Sequence, residues 1–438
     1  MKSMGNVSWD ALGKQDTSDV ILVSSKIYPG DAAPFAGYLK VSGGIIVEMA
    51  PGVPEPQANP TTGDESSKGP GAQHGLPVVD LGDNIIIPGL VDIHIHGSFG
   101  FDVSSPDPDA IQALAGHLIR TGTTSFLPTI GAMPVDDIER VISRVSQLAS
   151  NKEGTGVSED STEAEKNLPG AHILGLHMEG PFLNPHKKGA MREEYLLEPS
   201  VSLMARWLDL GKGTVKRVTI APELRGARDL ISLLADRGVA VAAGHTMATY
   251  QEALDSISWG VSAATHVYNA MREFHHREPG IIGAVLTDSR IWAEVICDGI
   301  HVHPAALMVV LACKGADRVY LVSDALAPAG LPPGSYSSLG HEITVDQQGR
   351  ACLANGALAG SIASLLDGLK NIIRWTGSAL EDMLPMATTN PALLAGVSER
   401  KGSLAPGKHA DLVVLDNEYN VVFTMVNGKI VASRDQDG

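Results

Sequence analysis

The side chains of this sequence that are best suited to chemistry are histidines and carboxylates at the ends of apolar, strand-like runs. In chain order they are His94, His96, Glu179, His245, His266 and Asp324. A barrel of parallel strands brings the carboxyl ends of its strands to one face, so residues far apart in sequence meet there. Imidazole and carboxylate groups bind zinc and other divalent metals of the first transition row. The series therefore predicts a metal-dependent hydrolase.

The HIHG motif carries two of these histidines. His94 and His96 are two residues apart on a predicted strand, which puts them on the same face and within reach of one ion. An HxH pair alone is weak evidence, but this one follows an apolar run and precedes Gly97, where the strand ends. His177 shares a face with Glu179, and we interpret it as a packed histidine or as a partner of a metal ligand.

Asp324 ends the run YLVSD, which is the last of the series. Hydrolysis of an amide needs a group that takes a proton from water and passes it to the departing amine. One carboxylate beside the metal can do both. We therefore predict that Asp324 is the general base and the general acid.

The composition favours a large α/β enzyme and argues against several other classes. The chain has 438 residues, of which 44% are hydrophobic, enough to bury a large core. Its net charge of −17 argues against binding to nucleic acid or to an anionic membrane surface. There are three cysteines without a CxxC pair, and no apolar run reaches signal-peptide or membrane-spanning length. These features predict a soluble, cytoplasmic protein.

Eight apolar runs alternate with helix-length amphipathic segments from about residue 85 to 325. This is the count of a (β/α)8 barrel, so we predict an α/β fold with a TIM-like barrel over residues 85–395. Strand-like segments lie on both sides of it. We expect residues 1–84 and 396–438 to build one small β-sandwich. Two polar tracts, 51–75 and 151–167, are predicted to be insertions at the surface, the first of them flexible.

Three further segments are candidates for substrate contacts. Arg277 lies in the loop FHHREPG, and an arginine there can hold a phosphate or a carboxylate through its planar guanidinium. His301, in DGIHVHP, follows the seventh strand, near which barrels of this kind commonly bind phosphate. The segment GALAGS supplies backbone N–H groups near a helix start, which favours binding of an anion or a hydroxyl.

The chain resembles the N-acetylglucosamine-6-phosphate deacetylases of the amidohydrolase superfamily. It does so, in order and spacing, in PGLVDIHIHG, HMEGPFLNPHKKGA, GHTMA, THVYNAM, HHREPG, DGIHVHP, LVSDALAPAG and LAGS. The tail KGSLAPGKHADLVVLD is similar to the superfamily's return to its β-sandwich. The resemblance, from about residue 84 to 430, implies release of acetate from the 2-acetamido group of a hexosamine 6-phosphate. It also implies a divalent metal cofactor, with Zn²⁺ the first choice, and a homodimer.

The resemblance further implies roles for individual residues. Glu179, His245 and His266 would bind the principal metal, and Asp324 would move the protons. The HxH pair, which some members have lost, would create a second metal position. The implied substrate contacts are Ala190, Asn269, Ala270, Arg277, Asp298, His301, Leu358, Ala359 and Gly360.

Within this resemblance, Arg277 and Met191 stand at positions with a particular role in the family. In the family, the arginine at the position of Arg277 is thought to come from the neighbouring subunit of a dimer. At Met191, many relatives carry a histidine or another polar residue that assists the substrate carbonyl. A thioether is a poor substitute for a hydrogen-bond donor. Carbonyl polarisation would then rest on the metal, or on His186 or a neighbour.

Two other functions remain open at this point. One is hydrolysis of a cyclic amide, as in dihydroorotases or hydantoinases, which usually carry a carboxylated lysine where this chain has Glu179. The other is a non-enzymatic barrel that serves as an interaction scaffold. Such a protein would be expected to lose metal ligands, and this sequence keeps the full set.

Overall fold

The computed structural model describes residues 19–54, 76–150 and 170–433. The tract predicted at 151–167, and the predicted flexible tract from residue 55 onward, lie outside the described residues. Before the barrel, the chain forms five strands. They are β1 (Val20–Ile27), β2 (Phe35–Ser42), β3 (Ile45–Pro51), β4 (Val78–Asp80) and β5 (Ile85–Pro88).

A barrel of parallel strands occupies the centre of the molecule, as predicted. The next strands along the chain are β6 (Leu90–Ile95), β7 (Gly97–Ser98), β8 (Phe101–Asp102), β9 (Thr123–Ile130), β10 (His172–Ile173), β11 (Leu176–Glu179), β12 (Val215–Ile220), β13 (Ala240–Ala243), β14 (Val261–Ala264), β15 (Trp292–Ile296) and β16 (Val319–Val322). The eight barrel strands run in the order β6-β9-β11-β12-β13-β14-β15-β16. The short β7 and β8 pair with each other, and β10 pairs with β9. Backbone N–H of Asp324 donates to the carbonyl of His94 (2.9 Å), so the end of the last strand meets the first.

Helices follow the barrel strands in turn and cover the outside of the barrel. They are α1 (Ala110–Leu118), α2 (Val135–Ser150), α3 (Val201–Gly211), α4 (Ala227–Asp236), α5 (Tyr250–Trp259), α6 (Gly280–Thr287), α7 (Pro304–Lys314), α8 (Leu365–Thr376), α9 (Leu380–Met383) and α10 (Thr389–Leu394). Short 3-10 turns lie at Ile119–Thr121, Pro185–Lys187, Glu193–Tyr195, Ala316–Arg318 and Leu384–Ala387. Two helix starts are fixed by capping boxes, Thr249 with Glu252 and Ser364 with Asp367. No helix within the described ranges is long and apolar enough to cross a bilayer.

The strands of both chain ends form one second sheet, in the place where the sequence predicted a small β-sandwich. After the barrel come β17 (Gly334–Ser338), β18 (His341–Val345), β19 (Ala351–Cys352), β20 (Leu412–Leu415), β21 (Val421–Val426) and β22 (Lys429–Ser433). The terminal sheet has the order β22-β21-β20-β5-β1-β2-β3, with β4 beside β1. Strand β20 joins the two ends because it pairs antiparallel with β5, Val413 opposite Ile87. Strands β17 to β19 form a small sheet of their own.

Two separate apolar clusters keep the barrel rigid. The larger one lies between the strands and their helices, and includes Phe126, Phe182 and Trp207. A smaller cluster combines side chains from six barrel strands, among them Tyr320 and Val322, as expected for the packed interior of a barrel. Rigid strands on a filled interior hold their carboxyl ends in fixed positions, which a metal centre requires.

Candidate metal centre

The predicted ligands stand at the ends of the barrel strands. Glu179 is the last residue of β11, and His94 lies in β6. His245, His266 and Asp324 each come two residues after a strand, with φ of 48°, 30° and 47°. This left-handed backbone is uncommon outside glycine and clusters at functional sites. It turns the three side chains from the strand direction towards the barrel mouth.

Glu179 forms a first cluster with two of the histidines. Its Oε1 lies 3.0 Å from Nε2 of His245 and 2.9 Å from Nε2 of His266. The two imidazole nitrogens are 3.2 Å apart. All three residues are at least 95% buried, so their ligand atoms are shielded from bulk water.

The same carboxylate forms a second cluster with the HxH pair. Oε2 of Glu179 lies 3.1 Å from Nε2 of His96, and its Oε1 lies 3.5 Å from Nε2 of His94. The Nε2 atoms of the two histidines are 3.3 Å apart. Asp324 stands over this pair, with Oδ1 3.3 Å from Nε2 of His96 and 3.4 Å from Nε2 of His94. Glu179 therefore joins two sets of donors.

The donor geometry fits a divalent ion in each cluster. Tetrahedral zinc has Zn–N bonds of about 2.0–2.1 Å, which places neighbouring donor atoms about 3.3 Å apart. The histidine nitrogens in the two clusters are 3.2 and 3.3 Å apart. In each set, the three ligand atoms lie within 4.8 Å of one another. Nitrogen and carboxylate donors in this number suit zinc and its neighbours better than Ca²⁺ or Mg²⁺.

A cavity of about 160 Å³ opens beside these donors. It is lined by His96, Glu179, Gly189, Ala190, Met191, His245, His266, Asn269, Ala270, His301, Asp324, Leu339, Leu358 and Gly360. Six of the nine predicted substrate contacts thus lie on its wall. Among them, His301 is oriented by Asp298, whose Oδ2 lies 2.7 Å from Nδ1 of the imidazole.

Three predicted contacts do not line this cavity. Asp298 acts on it through His301, and Ala359 is buried behind the wall. Arg277 is exposed, and its Nη1 lies 2.9 Å from Nε2 of the neighbouring His276. His186 is also exposed and does not line the cavity. Met191 does line the cavity, where its sulfur accepts a hydrogen bond from the backbone N–H of Ala132 (3.3 Å).

Comparison with known proteins identifies the family of this chain. The model of the amidohydrolase family matches residues 85–431. The chain belongs to the amidohydrolase family. It is 36% identical to the N-acetylglucosamine-6-phosphate deacetylase of Bacillus subtilis over 349 residues, 80% of this chain and 85% of the relative. It is 35% identical to the N-acetylgalactosamine-6-phosphate deacetylase of Escherichia coli O157:H7 over 357 residues, 82% and 90% of the two chains.

Solved structures lead to the same family. A mutant of the N-acetyl-D-glucosamine-6-phosphate deacetylase from Mycobacterium smegmatis, in complex with N-acetyl-D-glucosamine-6-phosphate, superposes with a TM-score of 0.82 at 30% identity. The match covers 95% of this amidohydrolase and the whole of that chain. Since nearly all of both chains is included, the barrel and the terminal sheet are shared.

Electrostatic interactions within the site keep the carboxylates of this amidohydrolase ionised. Burial alone would raise the pKa of Glu179, but the charge of His94 and the hydrogen bond with His245 outweigh it and hold this pKa well below its usual range. The pKa of Asp324 is also lowered, because the attraction of His94 and a hydrogen bond with His96 exceed the effect of burial. Burial would lower the pKa of His96, yet its hydrogen bonds with Asp324 and Glu179 raise it to about 9. A cation that binds here displaces protons.

Sequence reasoning missed the polar residues beneath the metal ligands. Glu294 in β15 and Arg217 in β12 form a buried ion pair, Oε2 to Nη1 2.5 Å, directly under His94. Burial would raise the pKa of Glu294, but Arg217 and His94 lower it to about 2. His177, which we did interpret from the sequence as a packed histidine or a partner of a metal ligand, is packed there too, with Nε2 2.8 Å from the hydroxyl of Thr219. In the sequence, the one sign of such a polar residue is a charged residue inside an otherwise apolar strand.

Proposed function

We propose that this amidohydrolase hydrolyses N-acetyl-D-glucosamine 6-phosphate to D-glucosamine 6-phosphate and acetate, a step of amino-sugar catabolism. The observation that carries the proposal is the carboxylate of Glu179 between two histidine pairs, with Asp324 beside them at the mouth of the barrel. Relatives that are 34–36% identical over about four fifths of the chain carry the deacetylase name.

The cofactor we propose is Zn²⁺. Glu179, His245 and His266 would hold the principal ion, and Glu179 with His94 and His96 a second one. When bound, such an ion supplies Lewis-acid polarisation and makes water more acidic. This assignment is supported by the burial of all five ligands and by the spacing of their donor atoms.

We assign the proton transfers to Asp324. Its lowered pKa leaves it ionised at neutral pH, so it can accept a proton from the attacking water. As the C–O bond forms and the C–N bond of the acetamide breaks, the protonated carboxyl returns that proton to the departing amine. The side chain of Asp324 is 10% exposed, on the cavity wall, where it can reach both groups.

The sugar phosphate would bind along the wall of the cavity. His301, fixed by Asp298, presents its second nitrogen for a hydrogen bond. Asn269 and the backbone around Gly360 supply further polar groups. Met191 is unable to donate to the substrate carbonyl, and exposed His186 does not line the cavity, so polarisation of that carbonyl would rest on the cation.

A homodimer would complete the phosphate site. Within the described chain, no lysine or arginine lines the cavity, and its 160 Å³ is small for a ligand pocket. Arg277 points to solvent in a loop that also exposes Phe274 (55%). Helix α7 exposes Met308 and Val309 (47% and 48%). Exposed apolar groups of this kind favour contact with a second copy, which would bring its Arg277 to the phosphate.

Mixing two impaired variants tests this arrangement. Arg277→Ala and Asp324→Asn should each be impaired alone, but a mixed dimer contains one site with both residues intact. A mixture of equal amounts, after exchange of subunits, should regain up to about a quarter of the wild-type activity. If each chain used its own arginine, no mixture would exceed the average of the two variants.

A second sugar is a specific alternative because one relative, 35% identical, is an N-acetylgalactosamine-6-phosphate deacetylase. The two substrates differ only in the configuration at C4, so acetate release should be measured on both.

Cyclic amides are disfavoured because Glu179 stands where a carboxylated lysine is usual in those hydrolases. A non-enzymatic scaffold is disfavoured by the complete set of buried ligands.

The central test measures zinc content and acetate release together. His245→Ala or His266→Ala should remove both, because the principal ion would lose one of three protein ligands. His303→Asn is the matched control: this exposed histidine caps α7, and asparagine also caps helices well. Full zinc content and normal turnover in either alanine variant would contradict the assignment.

We also propose a cytoplasmic location and three regions of the chain, 1–84, 85–395 and 396–438. The location is supported by three cysteines without disulfides, Cys297, Cys313 and Cys352. The boundaries are supported by β5 and β20, which belong to the terminal sheet and flank the barrel segment.

A further inference from the structure

One buried carboxylate connects the two donor sets from below. Oε1 of Glu294 lies 2.8 Å from Nδ1 of His94 and accepts the backbone N–H of His266 at 3.0 Å. It therefore contacts a side chain of the second donor set and the main chain of the first. Glu294 is fully buried in the middle of β15.

The other oxygen of this carboxylate is held by a guanidinium. Nη1 of Arg217 lies 2.5 Å from Oε2 of Glu294, and Arg217 is 3% exposed. Arg217 also donates from Nη2 to the hydroxyl of Thr265 (3.4 Å) and lies over the ring of Tyr320, 5.4 Å from its centroid. A buried carboxylate is stable as an ion only with such a partner. Arg217 thus fixes both the charge and the orientation of Glu294.

The Nδ1 atoms of the other histidine ligands have weaker partners or, in His266, no hydrogen-bond partner among the described residues. Nδ1 of His96 lies 3.2 Å from the carbonyl of Thr129, and Nδ1 of His245 lies 2.7 Å from that of Lys187. His94 has a carboxylate in this place. A carboxylate acceptor fixes the Nδ1–H tautomer and makes Nε2 a stronger donor to a metal than a carbonyl acceptor does.

We propose that Glu294, held by Arg217, is the positioning residue that makes His94 a ligand and so creates the second metal position. With its Nδ1–H directed to Glu294, His94 turns Nε2 towards His96 and Glu179, at 3.3 and 3.5 Å. The inference rests on the proposed metal dependence. The inference adds that binding of the second ion depends on the ion pair of Glu294 and Arg217, neither of which would contact an ion.

The test uses a variant without an unpaired buried charge. Glu294→Ala would leave Arg217 alone in the interior, and the chain could fail to fold. The double variant Arg217→Met/Glu294→Gln removes both charges and keeps an acceptor for Nδ1 of His94 and for the N–H of His266. We expect its second zinc equivalent to bind about 10- to 100-fold more weakly, while the first is nearly unchanged.

A second buried ion pair provides the matched control. Nζ of Lys401 donates to Asp411, and both residues are buried beside the terminal sheet, 7% and 6% exposed. Lys401→Met/Asp411→Asn should lower thermal stability, as any loss of a buried pair can, but leave both zinc affinities unchanged. This separates a general loss of stability from a specific effect on the second ion.

The measurement is zinc titration of metal-stripped protein, with chelator competition for both dissociation constants. Selective weakening of the second equivalent in the Arg217/Glu294 variant supports the proposal. An unchanged second affinity, or equal weakening of both equivalents, would overturn it. Uptake of a single equivalent by the wild type would overturn it as well. Acetate release by that one-metal protein would still leave the deacetylase function standing.

Discussion

Asp324→Asn separates proton transfer from every other role of this residue. The backbone of Asp324 is left-handed, with φ of 47°, and asparagine shares with aspartate the tolerance for this region. The backbone N–H that donates to the carbonyl of His94 is retained, so closure of the barrel is unaffected. The substitution keeps the size and shape of the side chain but removes its ability to accept a proton.

The loss of activity should be at least about 10²-fold in kcat. General acid–base catalysis contributes about 10²- to 10⁴-fold, equivalent to roughly 2.7–5.5 kcal/mol of activation free energy. Among the described residues on the cavity wall, the other carboxylate is Glu179. Its two oxygens already lie within 3.1 Å of His96, His245 and His266, so it is a poor replacement base.

Steady-state acetate release should be measured across pH on wild type and variant, together with zinc content and thermal unfolding. The predicted result is a folded, zinc-containing protein with strongly reduced kcat. Turnover within a few-fold of wild type across the pH range would exclude Asp324 as the proton carrier. A loss of zinc would show that it serves mainly as a ligand.

Three further predictions concern the phosphate, the second ion and acid stability. Arg277→Ala should lower kcat/KM for the 6-phosphate about 10- to 150-fold, because it removes a charge-assisted hydrogen bond of about 1.5–3 kcal/mol. Turnover of the unphosphorylated sugar should change little. An equal loss on both sugars would show that Arg277 only supports its loop. Changing His94 to Gln and His96 to Asn should reduce zinc uptake from two equivalents to one, and uptake of only one by the wild type would refute a second position. Burial and the neighbouring Lys401 lower the pKa of His172 to about 4, while its unfolded value is about 6.5. The unfolded chain therefore binds more protons between these values, and stability should fall by about 3 kcal/mol as pH drops from 6.5 to 4. Urea unfolding of His172→Gln should show a smaller loss over this range, and an identical pH dependence would contradict the assignment.

The barrel, and the meeting of the candidate metal ligands at its mouth, were predictable because each leaves a local pattern. Every strand is a short apolar run, and each ligand ends such a run, so the geometry of parallel strands brings them together. The break between β10 and β11 was not predicted: the run from 172 to 180 reads as one strand, but Gly175, at φ 143°, interrupts it. Pro51 was assigned to a flexible tract, yet it is the last residue of β3 and pairs with Gly37.

The polar layer beneath the ligands was not predictable in the same way. Glu294 and Arg217 are 77 positions apart, and neither has a distinctive neighbour in sequence. Their role depends on the ion pair that they form across the barrel, and no local sequence pattern indicates that pair. The left-handed backbone at His245, His266 and Asp324 is likewise a consequence of tertiary structure, since none of the three is a glycine.

The most direct test of the whole account is acetate release from N-acetyl-D-glucosamine 6-phosphate by protein stripped of metal and then titrated with zinc. The stripped protein should be folded and inactive, and activity should rise as the first equivalent fills the site of Glu179, His245 and His266. Acetate release by protein shown to contain no metal would contradict a metal-dependent deacetylase. So would the absence of activity after full reconstitution.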